Sequence, residues 1–310
     1  AAARALLCLA AAERWDADWR ACDTEAGFVT RGDDRLRFGE LAQEAAGLRL
    51  PDDVPLRTGS GVNRLTGRGM NRLDIPAKLD GSANYAGDIR LPDMVFAALR
   101  QGPLGDSRLK SVDKAAADKI FGVLQIVEHE RWVAAIATNW WAANKALGAM
   151  RPRFETRGRL AGDRAIDRAL KTALDAEGKR VAEAGDLDTA FANAKLYEAE
   201  YAVGLAPHAA IEPLTATAAL ADGRLQLWIA TQLPGLAREA AARAIGLDPE
   251  KVTVHPMLVG GSFGRKYEVG IAGQVAILAL KLKRPVQLVW SRAEDMMHEP
   301  FRPAARARMA

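Results

Sequence analysis

From residue 195 to residue 291 the sequence alternates short β-type runs with helical ones, and this alternation constrains the fold more than any other feature. The runs KLYEAEYAV, RLQLWIAT, KVTVHPMLV and PVQLVWS are short, apolar and rich in branched or aromatic side chains. Between them lie PGLAREAAARAIG and VGIAGQVAILALKLK, which carry helical periodicity. Such alternation predicts a layered α/β domain, with ligands taken up by the loops at strand ends. One loop stands out. Between VTVHPMLV and the last helix sits GGSFGRKYE, residues 260–268, which packs three glycines, an aromatic ring and two cations into one corner.

Upstream, residues 1–50 read as helix, hairpin, helix, with strands Gly27 to Arg31 and Arg35 to Phe38 and a helix from Gly39 to Ala46. A Pro-, Gly- and Arg-rich stretch near residues 50–75 reads as a boundary. Residues 76–158 read as an α+β domain with strands Met94 to Leu99, Val123 to Glu128 and Trp132 to Ala137. A helix starts near Asn139 and carries Trp140 and Trp141, at least one of which is expected in the core. Residues 159–185 are charged and alanine-rich and read as a solvated helical connector. A short helix capped by Asp186 or Asp188 follows.

Composition narrows the function. A net charge of +4 over 310 residues predicts no nucleic-acid or membrane partner, and no apolar run is long enough to span a bilayer. Two cysteines, Cys8 and Cys22, exclude a disulfide scaffold, an iron–sulfur site and a CxxC pair. The four histidines, His129, His208, His255 and His298, have no metal-ligand spacing, so no protein-ligated metal is expected. The opening ARALLCLAAAERW reads as an alanine-rich helix. The absence of an initiating Met and the ending FRPAARARMA suggest a piece of a longer polypeptide. The sequence leaves the compartment open, cytoplasmic or periplasmic.

The corner offers definite chemistry. Gly260, Gly261 and Gly264 can bring bare backbone N–H groups against a ligand, and Phe263 can form a flat wall. Arg265 and Lys266 offer positive charge to phosphate or carboxylate, and a helix starting near Glu268 would aim its dipole there. The alternative is a glycine turn whose phenyl ring plugs the core. The spacing fits neither a P-loop nor a Rossmann loop. Gln232, at a strand end, could hold an oxo or carbonyl oxygen, or simply begin a surface loop. His208 and Glu212 lie between Pro207 and Pro213 in an irregular segment, either as candidate substrate contacts or as a solvated loop. Glu294, Asp295 and Glu299 read as solvated or ion-paired.

Together GGSFGRK, WIATQLP, APHAAIEPLTATAAL and RPVQLVWSRAEDM resemble the molybdopterin-binding large subunits of the xanthine dehydrogenase/aldehyde oxidase family. NRLDIPAKLDGSANYAGDIRLPDMVFAALRQGP and WVAAIATNWWAANKAL resemble its α/β hammerhead domain, and the first fifty residues are most similar to the isoquinoline 1-oxidoreductase β-subunit branch. The resemblance implies a mixed α/β, α+β chain in which a hammerhead-like domain (68–158) sits between parts of a molybdopterin-binding domain (1–57 and 191–310), with 159–190 as linker. It implies molybdenum held by the dithiolene of a pterin, commonly a cytosine dinucleotide. It also implies a partner 2Fe-2S subunit that removes electrons, and hydroxylation of an N-heteroaromatic or aldehyde carbon with oxygen from water. Carried onto this sequence, Gln232 would bond the apical oxo ligand, residues Gly260, Gly261, Ser262, Phe263, Gly264 and Arg265 would contact the cofactor, and Phe263 and Glu268 would face substrate.

The pattern also departs from the family. Ser262 and Arg265 stand where many members have glycine, and Glu268 comes one residue late. The family's glutamate base has no counterpart, so no catalytic residue is expected in this chain and the chain alone is expected to be inactive. Rival readings are a binding or assembly module, for which the corner is a structural turn, and a nucleotide-binding enzyme.

Overall fold

The computed structural model describes residues 1–56, 67–158 and 161–310. The boundary stretch expected at 50–75 falls partly outside these residues, as do the first two positions of the connector. The chain forms two compact units, Ala1–Ile75 and Pro76–Ala310.

In the first unit, helix α1 (Ala2–Trp15) is followed by strands β1 (Asp23–Glu25), β2 (Phe28–Arg31) and β3 (Asp34–Arg37) and helix α2 (Phe38–Gly47). The three strands form an antiparallel meander. Ala-rich α1 packs close because its buried positions, Cys8, Ala10 and Ala11, are small; they meet Val29, Leu41 and Ala45.

The second unit begins with a short helix, α3 (Ile75–Asp80). Then come β4 (Val95–Gln101), β5 (Asp106–Ser111), α4 (Lys114–Asp118), β6 (Val123–Glu128), β7 (Trp132–Ala137), α5 (Trp140–Met150) and β8 (Arg153–Arg157). After the connector helices α6 (Asp163–Leu174) and α7 (Leu187–Phe191) come β9 (Ala199–Val203), β10 (Thr215–Ala221), β11 (Arg224–Ile229) and α8 (Pro234–Ile245). The chain ends with β12 (Val252–Pro256), α9 (Gly270–Leu282), β13 (Val286–Val289), α10 (Arg292–Met297) and β14 (Ala305–Met309).

Strands from both sides of the connector share one mixed seven-stranded sheet, ordered β12-β11-β10-β13-β4-β7-β6. The alternating side chains of β7 explain its unbroken apolar run. Ala134 and Ile136 join the core that holds α8 and α9, while Val133, Ala135 and Ala137 face α5. In α5, capped by the Asn139 side chain, Trp140 packs on this second core and donates Nε1–H to the Val289 carbonyl at 2.8 Å. Trp141 stays 63% exposed, so one tryptophan of the pair is structural. The expected connector helix is shorter than its composition suggests, because helix ends at Leu174 and residues 177–184 form no regular element.

The sheet register decides where the loops meet. Thr215 pairs with Val289, Ala216 with Ile229, and Ile229 with Pro256. Since β11 and β12 are parallel and β10 runs against both β11 and β13, one end of the sheet gathers the segments 208–214, 230–233, 257–268 and 290–299. Parallel pairing of β13 with β4 brings Gln101 to the same end.

Candidate functional site

The glycine corner hangs between β12 and α9 at this gathered end. Its backbone alternates in hand: Gly261 (φ 92°), Phe263 (φ 57°) and Gly264 (φ 102°) are left-handed, whereas Ser262 is not. Successive residues of opposite hand turn their N–H groups to a common side, the arrangement that forms anion-binding nests. Among the described residues, the N–H groups of Gly261, Ser262, Phe263 and Gly264 have no protein acceptor, whereas those of Gly260 and of Arg265 to Glu268 are all bonded. Phe263 is 68% exposed. It does not plug the core, so a plain structural turn does not account for this ring.

The two cations of the corner point inward. Lys266 is completely buried and its ammonium pairs with Glu212. Arg265 is 1% exposed, lies 5.6 Å from the Trp290 ring centroid and places Nη2 3.2 Å from Asp295 Oδ1. Their side chains brace the corner from behind, and the ligand-facing donors are backbone. Both cations, expected to offer charge to an anion, turn instead toward carboxylates of this chain, Lys266 to the half-buried Glu212 and Arg265 to the buried Asp295, although no guanidinium nitrogen of Arg265 makes a hydrogen bond among the described residues.

Hydrogen bonds fix the corner to its neighbours. Glu212 Oε2 accepts the Gly260 N–H at 2.9 Å, and Glu212 N donates to the Gly260 carbonyl at 3.0 Å. A β-carbon on Gly260 would lie 2.7 Å from that of Glu212, so only glycine fits. The Lys266 carbonyl accepts from Gln232 N at 3.0 Å and from Thr231 Oγ1 at 3.2 Å. The Ser262 hydroxyl accepts from Lys266 N at 2.9 Å and donates to Gln232 Oε1. Gln232 is exposed, and its amide nitrogen has no partner among the described residues. The site thus brings Gln232 and residues Gly260 to Gly264 together, as the sequence suggests.

His208 and Glu212 are not a helical pair, since their segment has no regular structure. His208 bonds Glu299 through both its backbone N–H and its Nδ1. Glu268 is exposed and faces another way. It lines a cavity of about 210 Å³ with Gln101, Arg131, Gln274, Trp290 and His298, which none of Gln232, Gly261, Phe263 or Gly264 lines.

The three acids after β13 are buried, not solvated: Glu294 and Asp295 are 1% exposed and lie beside arginines, and Glu299 is 2% exposed and accepts from His208. Glu294 accepts from Gln101 N at 2.6 Å and pairs with Arg100 at 3.1 Å. Burial nonetheless pushes its carboxyl up to about 7, against those two partners. Burial holds the His298 imidazole below its usual range, helped by the charges of Arg265 and Arg100. The sequence names Lys266 and Glu299 but gives no sign of what they pair with, Glu212 and His208. Their partners lie 54 and 91 residues away in sequence, and no local spacing signals such pairs.

Among the described residues no group of three or more His, Cys, Asp or Glu side chains could hold a metal, and no helix is long and apolar enough to cross a membrane. The site's own donors suit the anionic oxygens of a ligand that brings its own chemistry. Fold and site together describe an α+β domain with a row of unbonded backbone donors at one end of its main sheet.

Comparison with known proteins shows what the chain is similar to. Residues 173–310 match the family model of the molybdopterin cofactor-binding domain. The β subunit of isoquinoline 1-oxidoreductase from Brevundimonas diminuta is 28% identical over 79% of this chain and 33% of its own length. A nicotinate dehydrogenase subunit of Pseudomonas putida is 27% identical over 86% of this chain and 23% of its own. The chain therefore spans a third or less of these relatives. Among solved structures, the aldehyde oxidoreductase of Desulfovibrio gigas superposes with a TM-score of 0.60 at 19% identity, over 77% of this chain and 32% of that one. Quinoline 2-oxidoreductase of Pseudomonas putida 86 gives 0.57 at 22%, over 74% and 35%. The chain is thus similar, over residues 173–310, to the molybdopterin cofactor-binding domain and, at 27–28% identity over 75–86% of its length, to isoquinoline 1-oxidoreductase, nicotinate dehydrogenase and xanthine dehydrogenase chains.

Proposed function

We propose that this chain is part of a molybdenum hydroxylase large subunit, which oxidises an N-heteroaromatic or aldehyde carbon with oxygen from water and passes electrons to a separate iron–sulfur subunit. The observation that carries the reading is the row of unbonded N–H groups from Gly261 to Gly264 beside the outward amide of Gln232. Backbone donors held by a rigid frame suit anionic oxygens of a pterin cofactor, in its cytosine dinucleotide form, because they need no reorganisation when the ligand arrives. When bound, the cofactor supplies the oxygen-transfer and electron-accepting chemistry, which none of the side chains at the corner provides. The chain's residues do the rest. Gln232 donates to an oxygen acceptor, its orientation fixed by Ser262. Phe263 offers a flat exposed wall to a planar substrate. Arg265 and Lys266 hold the loop open from the inside.

The test is the molybdenum and pterin content of the polypeptide that carries this sequence, expressed with its iron–sulfur partner in a host that makes the cofactor. Gly261→Val strains a backbone at φ 92° and places side chain in the row. Stoichiometric molybdenum that falls in the folded variant supports the reading. A well-folded wild type without molybdenum overturns it and leaves a binding or assembly module.

A further inference from the structure

We infer that Glu299 and His208 form a carboxylate–imidazole dyad that presents a bare ring nitrogen to the ligand of the glycine corner, where it accepts the hydrogen bond or proton of a ligand O–H or N–H group. The inference rests on the corner being a ligand site, as proposed above, but not on the ligand carrying a metal.

The dyad is rigid by construction. Glu299 is 2% exposed, and its Oε1 accepts both the backbone N–H of His208 and the ring Nδ1–H. A carboxylate in that position selects the Nδ1–H tautomer, so the neutral ring keeps its lone pair on Nε2. The two segments are also tied through backbone: Ala206 N donates to the Arg302 carbonyl at 3.3 Å and Arg302 N to that of Ala206 at 3.0 Å. The imidazole is 10% exposed, and among the described residues Nε2 has no partner.

The direction of Nε2 gives the dyad its use. A β-carbon placed on Gly264 would lie 3.3 Å from Nε2, nearer than any other atom. Gly264 is the last member of the row of unbonded N–H groups. Donors for an anionic oxygen and an acceptor for a proton thus meet at one residue. A ligand that carries both an oxyanion and a protic group satisfies both. Where the protic group is acidic enough, its O–H or N–H bond breaks and an N–H bond forms at Nε2. The electron pair stays on the ligand, facing the N–H row, and Glu299 stabilises the imidazolium. A tether alone would need only Nδ1; the free, inward-facing Nε2 is what calls for a ligand.

Inorganic phosphate and sulfate separate the two roles, because at mildly alkaline pH phosphate retains an O–H and sulfate has none. Titrating the chain with each by NMR should give a phosphate Kd lower than that for sulfate by on the order of tenfold, the worth of one hydrogen bond to a charged group. His208→Phe keeps a ring of similar bulk without an acceptor, and should bring the ratio close to unity with the sulfate Kd unchanged. Nitrogen-15 spectra should show wild-type His208 as the Nδ1–H tautomer, and Glu299→Gln should mix the tautomers and reduce the phosphate preference. A preference untouched by His208→Phe, a wild-type ring protonated at Nε2, or a folded chain that binds neither anion overturns the dyad. Molybdenum content in Gly261→Val decides the functional reading separately, so either proposal can fail without the other.

Discussion

Glu212→Ala is the sharpest test of how the corner is held. Lys266 has no exposed surface, and among the described residues its ammonium has one side-chain partner, Glu212 Oε2. The same oxygen accepts the Gly260 N–H. Removing the carboxylate strands a buried cation and unties the first residue of the corner. Breaking a buried ion pair from one side costs about 3–5 kcal/mol, mostly as the penalty of the unpaired charge. Glu212 is only 15% exposed, so solvent screens little of this. The double variant Glu212→Leu/Lys266→Met removes the charge and fills similar volume, so it should recover all but about 1 kcal/mol, the remainder being the lost Gly260 hydrogen bond. Urea unfolding followed by tryptophan fluorescence reads each step. A single variant costing less than about 1 kcal/mol, or a double variant no better than the single, refutes the argument that Lys266 is a buried charge held by Glu212.

Other outcomes follow from the same geometry. Glu294 has a folded-state pKa near 7 against an ordinary 4.5, so the folded chain binds the extra proton and stability falls as pH rises between those values. Glu294→Gln should match wild type near pH 4.5 and gain on it by about 3 kcal/mol above pH 7, measured by urea melts across pH; a constant difference would refute the shift. His298, held low by burial, runs the other way and loses stability as pH falls through its range; its Nε2 lies 3.3 Å from Glu294 Oε1, so the substitution changes its surroundings too. Gly260→Ala should cost about 1–3 kcal/mol in unfolding free energy, because its β-carbon would sit 2.7 Å from that of Glu212. Trp140→Phe should cost about 1 kcal/mol for the bond to Val289, and Trp141→Ala within about 0.5 kcal/mol of nothing, in the same melts.

Much of the fold was legible where periodicity and packing agree. The limits expected for Val123 to Glu128 and Trp132 to Ala137 are those observed, and the helices flanking the corner fall where their apolar spacing puts them. The central strand β10 was not legible. Its sequence, TATAALA, is mostly alanine, with weak strand preference, and it is extended because β11 and β13 pair with it on both sides. The corner's glycines, Phe263 and Gln232 were legible as a group. The direction of Arg265 and Lys266 was not, since only the distant acids Asp295 and Glu212 decide whether a cation faces a ligand or the interior.

That inward turn also makes sense of two of the departures from the pattern the sequence resembles, those at 262 and 265. With serine at 262, a hydroxyl accepts from the Lys266 N–H and donates its own O–H to Gln232 Oε1, which leaves the Gln232 amide donor facing outward. With arginine at 265, the guanidinium needs a buried carboxylate and a flat ring, and the strand end Trp290 to Asp295 supplies both. Asp295 is itself shared with Arg292 at 3.1 Å. Neither replacement puts a side chain into the row of N–H groups. Both lie behind a backbone surface whose shape is set by the glycines at 261 and 264, with their positive φ, and at 260, where a β-carbon would not fit. Side chains behind such a surface can differ without altering the donors presented to a ligand, provided their buried charges are matched. Arg265→Gly should therefore cost stability, by leaving Asp295 without its buried cation, and leave the corner's binding of phosphate nearly unchanged; a loss of that binding in a folded Arg265→Gly chain would mean that the guanidinium, not the backbone, faces the ligand.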